Sequence, residues 1–379
     1  MKIYPASSSQ DRKLFINFAY DFYRDDPVWV PPLRSELNSQ FDAQRNPFLD
    51  HCAYELFLLE ERDEIIGRVA AFIDTLAVDF WCEPIGLFGY YECVDDQAAS
   101  STLLVAAQDW LQSHGMTSMR GPWTFVSQEW GLVVEGFDEP PVIMAPHNPR
   151  YYDRQMTDFG LKKVKDLLCY QVDARTGYQV PERILKLTDR VAERYGVKVR
   201  SIDMKRYDEE VETILELSNA TITGNWGYSP VTDAEARAVG RDLKQIVQPE
   251  GVLIAEDQEG RAIGFAIALP DLNSLLRGLN GRMLPFGWLK LLWGLPRLRR
   301  YRMYALGVLP EYHGKGIDSL IYRGLYESLY TPDLWMEINY VLEDNVPMNN
   351  AIRKLNATPS RRYRIYEKKL GDQGFINRD

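Results

Sequence analysis

The sequence predicts an α/β protein of the α+β type, folded as two domains. Three observations carry this. A length of 379 residues is enough for two full cores. Apolar residues switch along the chain between short strand-like runs and helical spacing. The same order of strands and helices is readable twice, before and after a link that begins near Ala174.

In the first half, residues 2–5 read as a short strand. Leu14, Phe15, Phe18, Ala19 and Phe22 stand at helical spacing, which predicts a helix over 10–24. A proline-rich break at 26–32 opens a second helical stretch. Apolar runs at 54–60, 65–73 and 85–93 predict three strands. Residues 100–114 predict a helix closed by Gly115, and 148–159 another, started by Pro149 and stopped by Gly160. Residues 164–172 read as a final strand.

The second half repeats the order. A charged helix is predicted over 182–194, inside the link. A strand follows at 197–202, with helices at 207–218 and 232–247. Strands at 251–255 and 262–269 flank a tight turn at Glu259-Gly260. A strand at 304–309 precedes a helix at 317–330. Strand 334–341, helix 347–355 and strand 361–369 complete the half. The expected domains are therefore 1–173 and 174–379.

Composition excludes several classes. A net charge of -10 argues against broad nucleic-acid binding, which needs cationic surface to displace counterions. Cys52, Cys82, Cys93 and Cys169 make no CxxC pair, and no signal peptide is readable; a reduced, cytoplasmic setting is expected. His51, His114, His147 and His313 are dispersed and make no metal spacing. No apolar run reaches the roughly 18 residues of a membrane span. The nearest, 283–295, is broken by Pro285, Gly287, Lys290 and Gly294.

The stretch 304–322 is the most informative. An apolar run ends at Val308-Leu309-Pro310. A turn containing Gly314, Lys315 and Gly316 follows, and then a helix led by Ile317, Leu320, Ile321 and Leu325. A strand that ends in a glycine-rich turn and opens a helix gathers free N–H groups and a positive dipole end, which attract phosphate. Together with the repeated element order, this resembles the pyrophosphate loop of the GCN5-related N-acetyltransferase (GNAT) superfamily. That loop usually reads Gln or Arg, any, any, Gly, any, Gly or Ala. Gly316 matches its central glycine. His313 stands where Gln or Arg is usual, and Asp318 where Gly or Ala is usual.

The resemblance implies two GNAT-like domains, each a mixed, mostly antiparallel central sheet flanked by helices. It implies acyl transfer from acetyl-CoA or another acyl-CoA to a small-molecule or peptide amine, without a covalent enzyme intermediate. The N–H groups of Gly314, Lys315, Gly316 and Ile317, with His313 and Asp318 in the same loop, are the expected pyrophosphate site. Leu306 and Val308 are expected to pair with pantetheine, and Asn345 to orient the cofactor. Asp318 has two readings: part of an altered CoA site, or a side chain that caps its own helix.

The first half is similar to a degenerate copy. Asn148, Tyr152 and Gly160-Leu161 match the superfamily's late Asn, Tyr and Gly-Phe. Where a glycine turn is usual it reads Glu92-Cys93-Val94-Asp95-Asp96, whose carboxylates repel a pyrophosphate. The second half has Ile352 where the tyrosine acid is usual and no strand glutamate before the loop. Tyr304 and Glu337 are the remaining catalytic candidates. Trp123, in the run 121–131, and Trp226 and Tyr228 are candidates for a substrate pocket, with ordinary core as the alternative.

The last anomaly is an insert at 272–303. It holds Arg277, Arg282, Lys290, Arg297, Arg299, Arg300 and Arg302, no acidic residue, and Leu284, Phe286, Trp288, Leu292 and Trp293 between them. It reads either as a peripheral membrane contact through 283–302 or as a packed helical bridge. The alternatives to a transferase are a catalytically inactive GNAT-derived binder of acyl-CoA or a lipid headgroup, and tRNA-dependent aminoacyl transfer, which the net charge weakens.

Overall fold

The computed structural model describes residues 1–126 and 129–371, so Ser127 and Gln128 of the aromatic run 121–131 lie outside the described residues. The chain forms two compact units. Unit 1 is Met1–Asp166 with Arg362–Asp379, and unit 2 is Leu167–Arg361.

Unit 1 opens with β1 (Lys2–Pro5) and α1 (Ser9–Phe22), whose start is fixed by reciprocal bonds between Ser8 and Asp11. Then come α2 (Arg34–Gln40), β2 (Cys52–Glu61), β3 (Glu64–Asp74), α3 (Thr75–Trp81), β4 (Ile85–Cys93), α4 (Gln97–Ser113), β5 (Ser118–Gly121), β6 (Leu132–Glu135) and α5 (Tyr152–Asp158). β1 to β4 pair as an antiparallel meander, and β5 lies parallel to β4. Leu103, Leu104, Ala107 and Leu111 of α4 are buried against Val69, Ala71 and Phe88 of this sheet. α3, β5 and β6 are not anticipated by periodicity; each is short, and β5 is fixed by its neighbours rather than by an apolar run.

Next is β7 (Lys162–Asp173), from which Leu167 onward belongs to unit 2. Unit 2 continues with α6 (Glu182–Tyr195), β8 (Lys198–Ser201), α7 (Tyr207–Ile222), α8 (Asp233–Leu243), β9 (Val252–Glu256) and β10 (Ala262–Pro270). The insert forms α9 (Asn273–Leu276) and α10 (Gly287–Gly294). Then follow β11 (Arg300–Val308), α11 (Ile317–Leu329), β12 (Trp335–Leu342), α12 (Val346–Lys354) and β13 (Thr358–Lys369). Within unit 2 the strand order is β7-β12-β11-β10-β9-β8. β11 and β12 are parallel and the other pairs antiparallel.

The expected division at 173/174 follows sequence order, and the structure divides the chain by strand pairing instead. β7 pairs with β12 from Leu167↔Leu342 to Asp173↔Trp335, which places it in unit 2. β13 from Arg362 onward pairs with β5 and β6, which places it in unit 1. Each copy thus takes its last strand from the other half of the sequence. Asp166 and Arg364, both in unit 1, secure this exchange with a two-pronged ion pair at 2.8 and 3.1 Å.

Candidate active site

The site in unit 2 grows from a change of pairing along β11. From Arg300↔Trp335 to Met303↔Ile338, β11 and β12 run as a parallel pair. Beyond Met303 they part, while β11 stays paired with β10 as far as Val308↔Gly264. The register of β10 slips between Ile267 and Ala268, opposite the point of parting. Among the described residues, β12 therefore gives residues 305–308 no ladder partner. Just past the point of parting Tyr304, Ala305 and Leu306 are half-buried, and Gly307 and Val308 at the strand end are buried.

At that end the chain turns into α11. His313 folds back so that its Nε2 meets the Val308 carbonyl at 2.8 Å, which ties the turn to the strand. Gly314 and Gly316 take left-handed backbone at φ 73° and 82°, a conformation suited to glycine. No side chain caps α11. The N–H groups of Gly314, Gly316, Ile317, Asp318 and Ser319 find no acceptor among the described residues. Asp318 is therefore not a self-cap. The Lys315 ammonium lies over the rings of Tyr312 and Tyr195, 4.6 and 5.6 Å from their centroids, beside the same turn. An uncapped helix start with a lysine next to it can bind an anion.

A cavity of about 330 Å³ adjoins this helix start, lined by Asp318, Ser319 and Tyr322 of α11, Pro347, Asn350 and Lys354 of α12, and Ile184 and Leu187 of α6. Asn345 caps α12 through its own oxygen on the Met348 N–H, at 3.2 Å. It thereby sets the wall of the cavity. Ile352, in the tyrosine's usual place, is fully buried core.

Where β11 and β12 are still paired, a buried polar network begins. Arg302 and Glu337 are register partners, 0% and 3% exposed. Arg302 Nε donates to Asn339 Oδ1 at 2.8 Å, and Asn339 Nδ2 donates to Glu337 Oε1 at 2.9 Å. The Ser360 hydroxyl donates to the second Glu337 oxygen at 3.3 Å. Burial pushes the Glu337 carboxyl above the usual carboxylate range, against the opposing pull of Arg361 and Arg302. The Arg302 guanidinium lies over the Tyr304 and Tyr340 rings, 5.4 and 5.2 Å from their centroids. Asn339 and Tyr340 are members of this network that the sequence did not single out. Arg302 was read as part of the basic insert and the membrane contact through 283–302, but it lies inside β11 and is 0% exposed.

The other expected residues lie as follows. Thr221, at the end of α7, presses on Gly307 so closely that a Cβ there would stand 2.3 Å from its hydroxyl. Trp226 and Tyr228 follow that helix end and are half-buried, with the Tyr228 hydroxyl donating to Asn219 Oδ1 at 3.2 Å. Trp123 belongs to the core of unit 1, packed on Trp130 with centroids 4.6 Å apart.

Unit 1 has the equivalent helix start, α4, in a closed form. The Asp96 carboxylate accepts the N–H groups of Ala98 and Ala99 at 2.7 and 2.9 Å. The Tyr152 hydroxyl, fully buried, accepts the Cys93 N–H at 2.8 Å. Both groups that would serve a cofactor are engaged within the protein.

No family model matches the chain. Two curated proteins match nearly end to end. Protein YghO of Escherichia coli (strain K12) is 36% identical over 371 residues, covering 96% of this chain and 94% of that protein. The bacterial ceramide synthase of Caulobacter vibrioides (strain NA1000 / CB15N) is 33% identical over 385 residues, covering 98% of each. Among solved structures, a tandem GNAT protein from the clavulanic acid biosynthesis pathway is superposable with a TM-score of 0.57 at 11% identity, covering 98% of both chains. The GCN5-related glucosamine N-acetyltransferase region of a fungal multi-domain GH3 β-N-acetylglucosaminidase gives 0.59 at 14% identity, over 97% of this chain and 38% of that one. The fold is that of the acetyltransferases. The chain belongs to the family of Protein YghO and the bacterial ceramide synthase, and its fold is that of a tandem GNAT protein.

Proposed function

We propose that unit 2 transfers a fatty acyl group from acyl-CoA to the amino group of a long-chain amine. The observation that carries this reading is the gap between β11 and β12 running into the uncapped start of α11. A thioester carrier with a diphosphate near one end and amides along its arm fits that shape. The diphosphate would take the N–H groups of Gly314, Gly316 and Ile317 with Lys315 beside it. The amides would take the open edge of Leu306 to Val308, and the cavity wall set by Asn345 would flank the carrier. The sequence alone pointed to acetyl-CoA; the name of the Caulobacter relative favours a longer acyl chain and an amine of the sphingoid-base type, since a ceramide is such an amine N-acylated.

In the reaction the amine nitrogen bonds to the thioester carbon and the carbon–sulfur bond breaks. The thiolate leaves and takes up the proton the amine gives away. Tyr304 stands where the strands part, and on this reading passes that proton. A β11 N–H on the open edge polarises the carbonyl. Positioning and this fixed dipole supply most of the acceleration. Glu337 acts at one remove, holding Asn339 and through it Arg302.

The test is thiol release from acetyl-, octanoyl- and palmitoyl-CoA with sphinganine, decylamine or a short peptide as acceptor, with the amide product weighed by mass spectrometry. Amide formed only with the long-chain amine supports the proposal. Acyl-CoA binding without thiol release from any pair overturns it in favour of a non-catalytic binder, which the core position of Ile352 favours.

A further inference from the structure

α10 is a helix with its faces reversed. Its small residues point inward: a Cβ on Gly287 would stand 2.9 Å from the Arg282 carbonyl, and one on Gly294 2.6 Å from the Leu275 side chain. Three of its large apolar residues point outward, Trp288, Leu292 and Trp293 being 47%, 62% and 62% exposed, while Leu289 and Leu291 are half-buried. The loop before it adds Leu284 and Phe286, 78% and 72% exposed. An apolar patch of this kind on a water-facing surface marks an interaction site.

The charges around the patch narrow the partner. Residues 272–303 contain no carboxylate, in a chain of net charge -10. Arg282, Lys290 and Arg297 are exposed, and Arg299 is half-buried. Lys290, Arg297 and Arg299 donate to backbone carbonyls of the insert itself, and none of the three pairs with a carboxylate among the described residues. The Trp288 indole N–H is satisfied by the Pro285 carbonyl at 2.9 Å, which fixes the ring in its outward pose. A two-fold contact between copies of this chain would set these cations against one another. A negatively charged, apolar-cored surface is complementary to both features at once.

We propose that the segment 282–299 is a peripheral docking element for a bilayer of anionic phospholipid. Leu284, Phe286, Trp288, Leu292 and Trp293 enter the interface, and Arg282, Lys290, Arg297 and Arg299 lie at the headgroups. The insert joins the end of β10 to the start of β11, whereas the phosphate-binding turn follows the opposite end of β11. A membrane on this element lies at the end of the strand towards which an acyl-CoA arm laid along β11 would point. The proposal does not depend on acyl transfer, since the patch exists whatever the site does.

The experiment is co-sedimentation of the full chain with phosphatidylglycerol-containing vesicles and with pure phosphatidylcholine vesicles. It is run beside the triple variant Trp288→Ser/Leu292→Ser/Trp293→Ser and the charge variant Arg282→Glu/Lys290→Glu. Binding to the anionic vesicles, weaker to phosphatidylcholine, and lost by about tenfold or more in each variant is the expected result. Quenching of wild-type tryptophan fluorescence by brominated anionic lipid gives a second reading that needs no variant. Wild-type protein that neither sediments with anionic vesicles nor is quenched overturns the proposal. So does triple-variant protein that binds as the wild type does, or a wild-type dimer that the triple variant dissociates.

Discussion

Gly316 and Val191 are in contact across the start of α11: a Cβ on Gly316 would stand 3.1 Å from Val191 Cγ2 of α6. The turn proposed to bind phosphate is thus braced by the helix that links the two halves of the sequence. Gly314, two residues earlier, also has left-handed backbone but faces open space. Alanine at either position should cost about 1–2 kcal/mol of stability from backbone strain. Only Gly316→Ala should also push α6 away and weaken acyl-CoA binding, by roughly tenfold, as P-loop-like turns depend on backbone placement. Thermal melts and calorimetric titration of both variants separate the two effects. Equal binding by the two would remove α6 from the account.

Asp318 puts a negative charge on the first turn of an uncapped helix, where a phosphate would also sit. The charge stabilises the free helix through the dipole and repels the ligand. Asp318→Asn should therefore bind acyl-CoA more tightly, by about three- to tenfold, while losing roughly 0.5 kcal/mol of stability without ligand. Titration calorimetry and a melting curve on the same preparation check both signs. Weaker binding by Asp318→Asn would mean that the carboxylate contacts the ligand favourably.

Asp96 closes in unit 1 the place that Gly316 leaves open in unit 2. Its carboxylate already holds the Ala98 and Ala99 N–H groups. One acyl-CoA should bind per chain. Asp96→Ala should cost about 1 kcal/mol as a lost cap without creating a second site, because Asp95 remains beside it, paired with Arg154. A binding stoichiometry near two in either protein would show that the first copy is not degenerate in function.

Much of this was legible in the sequence, and the failures have physical causes. The turn at Gly314 to Gly316 was readable because glycine at positive φ leaves a local signature. β2 to β4 and β9 to β10 were readable because each carries a continuous apolar run. The exchange of β7 and β13 was not, since strand pairing is set by partners distant in sequence and no local pattern encodes it. The Arg302–Asn339–Glu337 network was hidden for the same reason. Alternate residues of β11 and β12 share one side, but only the register decides which of them meet. Asp318 left two readings open because an aspartate within an altered CoA site and one that caps its own helix look alike in sequence.

The Asp166–Arg364 pair gives unit 1 an acid-sensitive joint. Burial raises the Asp166 pKa, but bonds from Arg364 and Lys163 outweigh this and hold it below the usual carboxylate range. A lowered folded-state pKa contributes stability above the unfolded value of about 3.9, and that stability is lost as pH falls through the folded value. Asp166→Asn should lose about 2–3 kcal/mol at pH 7, at the low end for a broken buried pair because Arg364 is partly solvated. The deficit should shrink towards pH 3. Denaturant titrations at pH 7, 5 and 3 measure it, and a deficit independent of pH would mean that packing rather than charge is lost.

Glu337 has the opposite sign. Its folded-state pKa is raised, chiefly by burial, so folding favours the protonated form. Stability should fall as pH rises from the unfolded value of about 4.3 to the raised value, and stay level above it. Glu337→Gln should remove that slope. Both carboxylate oxygens already accept bonds, from Asn339 and Ser360, and the residue is 3% exposed. On the proposed mechanism a group so placed orients its neighbours rather than taking the amine's proton. Glutamine keeps an oxygen for Asn339, so Glu337→Gln should retain kcat/KM within about threefold with an unchanged pH profile. Glu337→Ala should lose far more, because Asn339 and then Arg302 are released; general-base loss alone is typically about 10²–10⁴-fold. Steady-state rates from pH 5 to 9 on the two variants decide the matter. A loss of that size in Glu337→Gln, with the rising limb of the profile gone, would make Glu337 the base and displace Tyr304 from the centre of the mechanism.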